Sequence, residues 1–167
     1  RQLDSRTPGH PEYHFTTGVE TTTGPLGQGV ANSVGMAMGS RFLGQHLNRP
    51  NLPLFDYNVY AVCSDGDLME GVASEAASLA GHLRLGRLIL LWDDNRITDD
   101  GSTTLSISED VAARFRVADW DVQEVDGHDL DALHQALERA HASDRPTLIA
   151  CRTIIAKGLE RLQGQRG

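Results

Sequence analysis

At 167 residues, with a formal net charge of −8 and 40% hydrophobic residues, the chain is long enough for one globular domain with its own core. It has no run of about 18 apolar residues for a membrane span, and Arg1-Gln2-Leu3-Asp4-Ser5 is not a signal peptide, so a cytoplasmic protein is expected. No cluster of Lys and Arg offers itself to phosphates, which argues against nonspecific binding to nucleic acid or an anionic membrane.

The first stretch, including Thr7-Pro8-Gly9-His10-Pro11-Glu12 and the run from Gly18 to Gly29, is rich in Pro, Gly and Thr and reads as loop. So long a loop inside a compact domain points to function or to a missing neighbour. A helix is predicted over about 29–47, dense in small residues such as Ala31, Ser33, Gly35, Ala37, Gly39 and Ser40. Glycine in a helix interior costs up to about 1 kcal/mol relative to alanine, so Gly35 and Gly39 imply the close approach of another backbone.

After a polar connection, strands are predicted at about 58–63, 88–92, 120–125 and 147–154. Helices are predicted between them at about 68–84, 108–118 and 130–142, with Ser108 and Asp129 as N-caps. Apolar strands alternating with amphipathic helices indicate a parallel α/β sheet. Cys63 and Cys151 lie in strand-like runs without a partner at metal or redox spacing and read as buried reduced thiols. His14, His46, His82, His128, His134 and His141 show no ligand spacing; His128 belongs to a turn, Asp126-Gly127-His128-Asp129. Residues 1–156 are expected to form a single domain, with 157–167 a flexible tail too poor in apolar residues to pack.

Two of the strands end in turns of particular chemistry. Val59-Tyr60-Ala61-Val62-Cys63 delivers Ser64-Asp65-Gly66, and the run ending Leu91-Trp92 delivers Asp93-Asp94-Asn95-Arg96-Ile97. In a parallel sheet both strand ends open on one edge, where ligands of doubly wound proteins bind. A carboxylate, a side-chain amide and a backbone carbonyl suit Mg2+ or Ca2+. Gly66 leaves room for a diphosphate to approach the backbone, and the helix behind it points N–H groups at that anion. Alone, Asp65 reads better as a helix N-terminal carboxylate and Asn95 as a turn residue; their joint spacing reverses that and makes a candidate metal–diphosphate cradle.

Ser64-Asp65-Gly66 with Asn95 about 30 residues after Asp65 resembles the thiamine diphosphate fingerprint, an Asp-Gly pair followed at that interval by Asn. Asp67-Leu68-Met69-Glu70-Gly71, Ser78-Leu79-Ala80-Gly81-His82-Leu83 and Asp93-Asp94-Asn95 are similar to transketolase at those positions, and the resemblance runs from Arg1 to about Ile155. It implies a three-layer fold, a parallel sheet with helices on both faces, as in the diphosphate-binding (PP-type) module of thiamine diphosphate enzymes. It also implies thiamine diphosphate as cofactor, with Mg2+ or Ca2+ held by the Asp65 and Asn95 side chains and the Ile97 carbonyl. Ser64 stands at the first glycine of the family's diphosphate turn, and Gly66 would offer its N–H to the diphosphate.

Gly24-Pro25-Leu26-Gly27-Gln28-Gly29 matches the family loop that passes the cofactor's two rings: the Gly24 carbonyl would meet the 4'-amino group, and Leu26 would hold the cofactor bent. His10 matches the histidine that meets the donor's C1 hydroxyl, making it the implied catalytic residue, and Arg1 matches an arginine nearby. Glu70, grouped with the cofactor residues, and Glu75 fall where the family buries glutamates in its subunit interface.

Two residues depart from the pattern. Serine tolerates extended but not left-handed backbone, so Ser64 requires that the turn need no positive φ. Asp99 replaces an apolar residue near the thiazolium, where an unpaired carboxylate would be costly unless it faces solvent. The glutamate that activates the cofactor belongs, in the family, to a pyrimidine-binding domain of the partner subunit, which these 167 residues do not contain. The expected partners are therefore that domain, on a second chain or a further segment, in a homo- or hetero-oligomer, together with sugar phosphates. The expected reaction is transfer of a two-carbon ketol unit from a ketose phosphate to an aldose phosphate, with the 167 residues inactive alone. A second possibility is a non-catalytic module that folds and self-associates. A third is another thiamine diphosphate enzyme, a 2-oxo acid dehydrogenase or deoxyxylulose phosphate synthase, against which the 24–29 hexad and the His10 context favour transketolase.

Overall fold

In the computed structural model, which describes residues 4–165, residues 4–27 contain no helix or strand, and the first regular element among the described residues is the helix α1 (Gln28–Leu47). After it come β1 (Val59–Ser64), the helices α2 (Asp65–Met69) and α3 (Gly71–His82), and β2 (Leu88–Asp94). A small hairpin, β3 (Ile97–Thr98) and β4 (Gly101–Ser102), leads to α4 (Val111–Val117), β5 (Asp121–Asp126), α5 (Leu130–His141) and β6 (Thr147–Arg152).

The four long strands form one parallel sheet in the order β1-β2-β6-β5. Central strand β2 is buried on both faces at Leu88, Ile89 and Leu90, as strands of a covered parallel sheet are. On one face α1, α3 and α4 contribute Val30, Val34, Ala73, Ala77 and Phe115 against Leu88, Leu90, Trp92 and Leu148. On the other, Ala136 and Ala140 of α5 cover Ile89, Ile149 and Cys151. The β1-to-β2 crossover and the β5-to-β6 crossover run in opposite directions, so their helices fall on opposite faces. The result is the three-layer α/β arrangement expected, and every strand opens its carboxyl end on the same edge, where a ligand site is expected. Both cysteines are buried free thiols.

Several boundaries differ from the sequence expectation. The helix expected over 68–84 starts at Asp65 and breaks at Glu70, whose backbone is extended (φ −74°, ψ 140°). Its last turn closes against α4 so tightly that a Cβ on Gly81 would lie 1.7 Å from the Ala118 carbonyl oxygen. Helix α4 is capped by Asp110 rather than Ser108, the Asp110 carboxylate accepting the Ala113 N–H at 2.9 Å. Asp129 caps α5 as expected, accepting from Asp131 and Ala132 N–H groups at 3.0 Å each. The close approach expected at Gly35 and Gly39 is not made among the described residues: a Cβ at either would meet nothing within 4 Å. Met36, Met38 and Phe42 of the same helix are also exposed.

Candidate cofactor site

Strands β1 and β2 are neighbours with Ser64 opposite Asp93, so their two following turns stand side by side. The first turn is built from its own residues. Ser64 is extended (φ −104°, ψ 174°) and caps α2 through a capping box with Asp67: the Asp67 carboxylate accepts the Ser64 N–H and hydroxyl, both at 2.8 Å. No left-handed backbone is required there, so serine fits where the family has glycine.

Asp65 opens α2 and is 7% exposed. Its carboxylate accepts the Arg96 N–H at 3.0 Å, joining the first turn to the second. Burial, followed by the negative charge of Asp94, raises its pKa to about 6, against the lowering effect of the Arg96 N–H. The Trp92 indole N–H is buried without a hydrogen-bond partner among the described residues; it lies close enough to favour the ionised carboxylate while falling short of hydrogen-bond geometry.

The second turn is built from longer reaches. Arg96 is left-handed (φ 62°), and the Asn95 side-chain oxygen accepts the Ile97 N–H at 2.9 Å, an Asx-type turn. The Asn95 amide donates to Asp93 at 3.2 Å, and Asp93 in turn accepts the Thr153 hydroxyl from the chain just beyond β6. Next to it, the Arg152–Asp94 ion pair, 2.6 Å, binds β6 to the end of β2. Ile97 follows directly as the first residue of β3.

Among the described residues no three His, Cys, Asp or Glu side chains gather into a metal cage. The two adjoining turns carry a buried carboxylate at Asp65, the Asn95 amide oxygen and the Ile97 carbonyl, which is a set for a hard cation that keeps other oxygen ligands. The buried, charge-repelled Asp65 carboxylate is the group such a cation would stabilise. The residues present therefore fit a divalent cation.

The hexad loop comes to the same edge. A Cβ on Gly66 would lie 3.3 Å from Leu26 Cδ1, so Leu26, half exposed, rests over the first turn. Gly24 is exposed, with open space where a side chain would be. Gly27 is left-handed (φ 78°), and its N–H donates to Asp67 at 2.9 Å. Leu26, Ser64, Asp65, Gly66, Asn95 and Ile97 thus share one edge of the sheet, with Gly24 two residues before Leu26 in the hexad.

The remaining expected residues do not join that cluster. His10 is exposed in the leading loop, whose only bond toward the hexad segment is from the Thr22 hydroxyl to the Pro11 carbonyl, 2.8 Å, among the described residues. Arg1 lies outside the described residues. Glu70 is exposed at the α2–α3 junction, makes no side-chain cap bond and sets its Cβ against Gly27, and Glu75 is exposed on α3; neither is buried in this chain. Asp99 is exposed at the hairpin tip, which removes its desolvation cost. Asp67, Asp93 and Thr153 organise the site without having been singled out from sequence; only Asp67 carried a signal, three residues after Ser64 as a capping-box partner.

A family model described as "Transketolase, thiamine diphosphate binding domain" matches residues 1–167. The chain belongs to the transketolase family. It is 54% identical over 159 residues to a transketolase of Aquifex aeolicus, covering 95% of this chain and 23% of that protein. It is also 54% identical over 169 residues to one of Geobacillus stearothermophilus, covering 100% and 25%. Among solved structures, a transketolase of Campylobacter jejuni superposes with a TM-score of 0.85 at 46% identity, covering 99% of this chain and 26% of that one. A transketolase mutant, R525L, of Pichia stipitis gives 0.88 at 47% identity, covering 100% and 25%. The chain thus spans about a quarter of the length of the relatives it matches.

Proposed function

We propose that this chain is the thiamine diphosphate- and Mg2+-binding part of a transketolase. Complemented by a pyrimidine-binding domain, it transfers a two-carbon ketol unit from a ketose phosphate to an aldose phosphate. The observation that carries the proposal is the buried Asp65 carboxylate bonded to the Arg96 N–H, which brings two oxygen-bearing turns together at the sheet edge in a transketolase-family chain.

In this role Asp65, Asn95 and the Ile97 carbonyl hold Mg2+, with Ca2+ able to take its place, and Ser64 and Gly66 line the diphosphate. Bound thiamine diphosphate supplies the nucleophilic carbon for two-carbon transfer. The Gly24 carbonyl would meet the aminopyrimidine, Leu26 would pack against the cofactor's rings, and His10 would bind the donor hydroxyl. Glu70, with Glu75, faces the second subunit, and the open face of α1 around Gly35, Gly39 and Phe42 gives that subunit its contact area. The 167 residues alone bind the cofactor without turnover, because the activating glutamate belongs to the pyrimidine-binding domain.

Titration calorimetry with thiamine diphosphate and Mg2+ tests the cradle. Wild type should bind, and Asp65→Ala should bind at least about tenfold more weakly, the scale of one lost charge-assisted contact. Equal binding by the two proteins, or binding by neither, would overturn the assignment.

A further inference from the structure

The Asp67 side chain joins the hexad loop to the first turn. One carboxylate oxygen accepts the Gly27 N–H at 2.9 Å across 40 residues of chain. The other accepts the Ser64 N–H and hydroxyl at 2.8 Å each. Such bonds to an ionised acceptor are the stronger kind, and the carboxylate also sits at the start of α1, where the helix dipole favours negative charge.

The Gly27 side of the link has no slack. A Cβ there would lie 2.8 Å from Glu70 Cβ and 3.0 Å from Val72 Cγ1, so the left-handed glycine is wedged against the α2–α3 junction. The Ala31 N–H continues the chain of bonds by donating to the Gly27 carbonyl at 3.2 Å. Leu26, immediately before Gly27, is thereby held over Gly66.

We propose that Asp67 is a positioning residue that fixes the height of the Gly24–Leu26 loop above the diphosphate turn. This rests on the cofactor assignment above. If Leu26 meets the rings while the Ser64–Gly66 turn meets the diphosphate, the Asp67 bridge sets the distance between those two contacts. A ligand that spans both senses the bridge; a ligand that uses only the turn does not.

The test compares two probes, thiamine diphosphate with Mg2+ and inorganic pyrophosphate with Mg2+, on wild type, D67A and D67N, with hydrogen exchange at the Gly27 amide measured on the ligand-free proteins. D67A should lose about tenfold in affinity for thiamine diphosphate, the scale of one charge-assisted hydrogen bond, but no more than about twofold for pyrophosphate. Exchange at Gly27 should accelerate in D67A. D67N has one acceptor oxygen for donors on both sides, Gly27 N–H and Ser64 N–H, so it should fall between wild type and D67A in both Gly27 exchange and thiamine diphosphate affinity. If D67A does not fold, D67E takes its place: the added methylene displaces the loop while keeping the charge, and the same selective loss is expected. Unchanged thiamine diphosphate affinity, or equal losses for both probes, would overturn the positioning role and leave the cofactor assignment standing. A wild type that binds neither probe would overturn the assignment, and the positioning role with it.

Discussion

The two turns that meet at the sheet edge are held in opposite ways. The turn after β1 draws on its own neighbours: Ser64 is extended, and Asp67 closes a capping box three residues later. The turn after β2 draws on distant chain. Asn95 is oriented by Asp93, which is held by Thr153 beyond β6, and the turn accepts a left-handed Arg96. A helix start is a ready anion site because its own N–H groups point outward. The cation ligand proposed at Asn95 needs outer hydrogen bonds to aim it, and the second turn imports them.

The largest break in this comparison is expected at Gly27, where the first turn receives the hexad loop. Gly27→Ala forces an L-residue into positive φ and drives a methyl to within 2.8 Å of Glu70 Cβ. The combined strain and overpacking should cost about 2–4 kcal/mol, measured as a drop in the urea midpoint at unchanged slope. A stability within about 0.5 kcal/mol of wild type would mean that the loop is free to move.

Asp93→Ala comes next. It strands the Asn95 amide and the Thr153 hydroxyl, costing about 1–3 kcal/mol of stability, and it should weaken Mg2+-dependent binding by about 10–100-fold, as loss of a ligand's outer partner does. If binding survives at full strength, the second turn is self-supporting like the first. Smallest is Arg96→Gly, which removes left-handed strain but loosens the unfolded chain, for a net gain of about 0.5 kcal/mol. A net loss would show that the Arg96 side chain contributes more than its backbone costs.

The sheet was legible because its strands are continuous apolar runs, and parallel pairing then made neighbours of the two turns. That is why Asp65 and Asn95, far apart in sequence, could be joined in advance. The break at Glu70 was not legible: Met69 and Glu70 are good helix formers, and the interruption comes from packing, with Leu68 buried and its carbonyl accepting from Arg114 of α4. The hairpin β3–β4 is too short, two residues a side, to show an alternation. Ser108 and Asp110 are chemically equal caps; the burial of Ala112 and Phe115 selects the later start. Within the site, Thr153 reaches Asp93 across 60 residues, a bond that leaves no local pattern.

Asp65 separates the two turns most sharply, because it belongs to the first by position and to the second by its bond. Its pKa is raised from 3.8 to about 6, so the folded chain holds a proton that the unfolded chain has released. Without metal, this group's contribution to stability is therefore greatest below about pH 4 and falls as pH rises through about 6. The most direct measurement is denaturant unfolding of wild type and Asp65→Asn, each with and without Mg2+ and thiamine diphosphate. Without ligand near pH 7, Asp65→Asn should be the more stable protein and should lack the fall in stability between pH 4 and 6. With ligand, wild type alone should gain stability. A variant that is stabilised by Mg2+ and thiamine diphosphate as much as wild type would contradict the claim that this carboxylate is the anchor of the cofactor site.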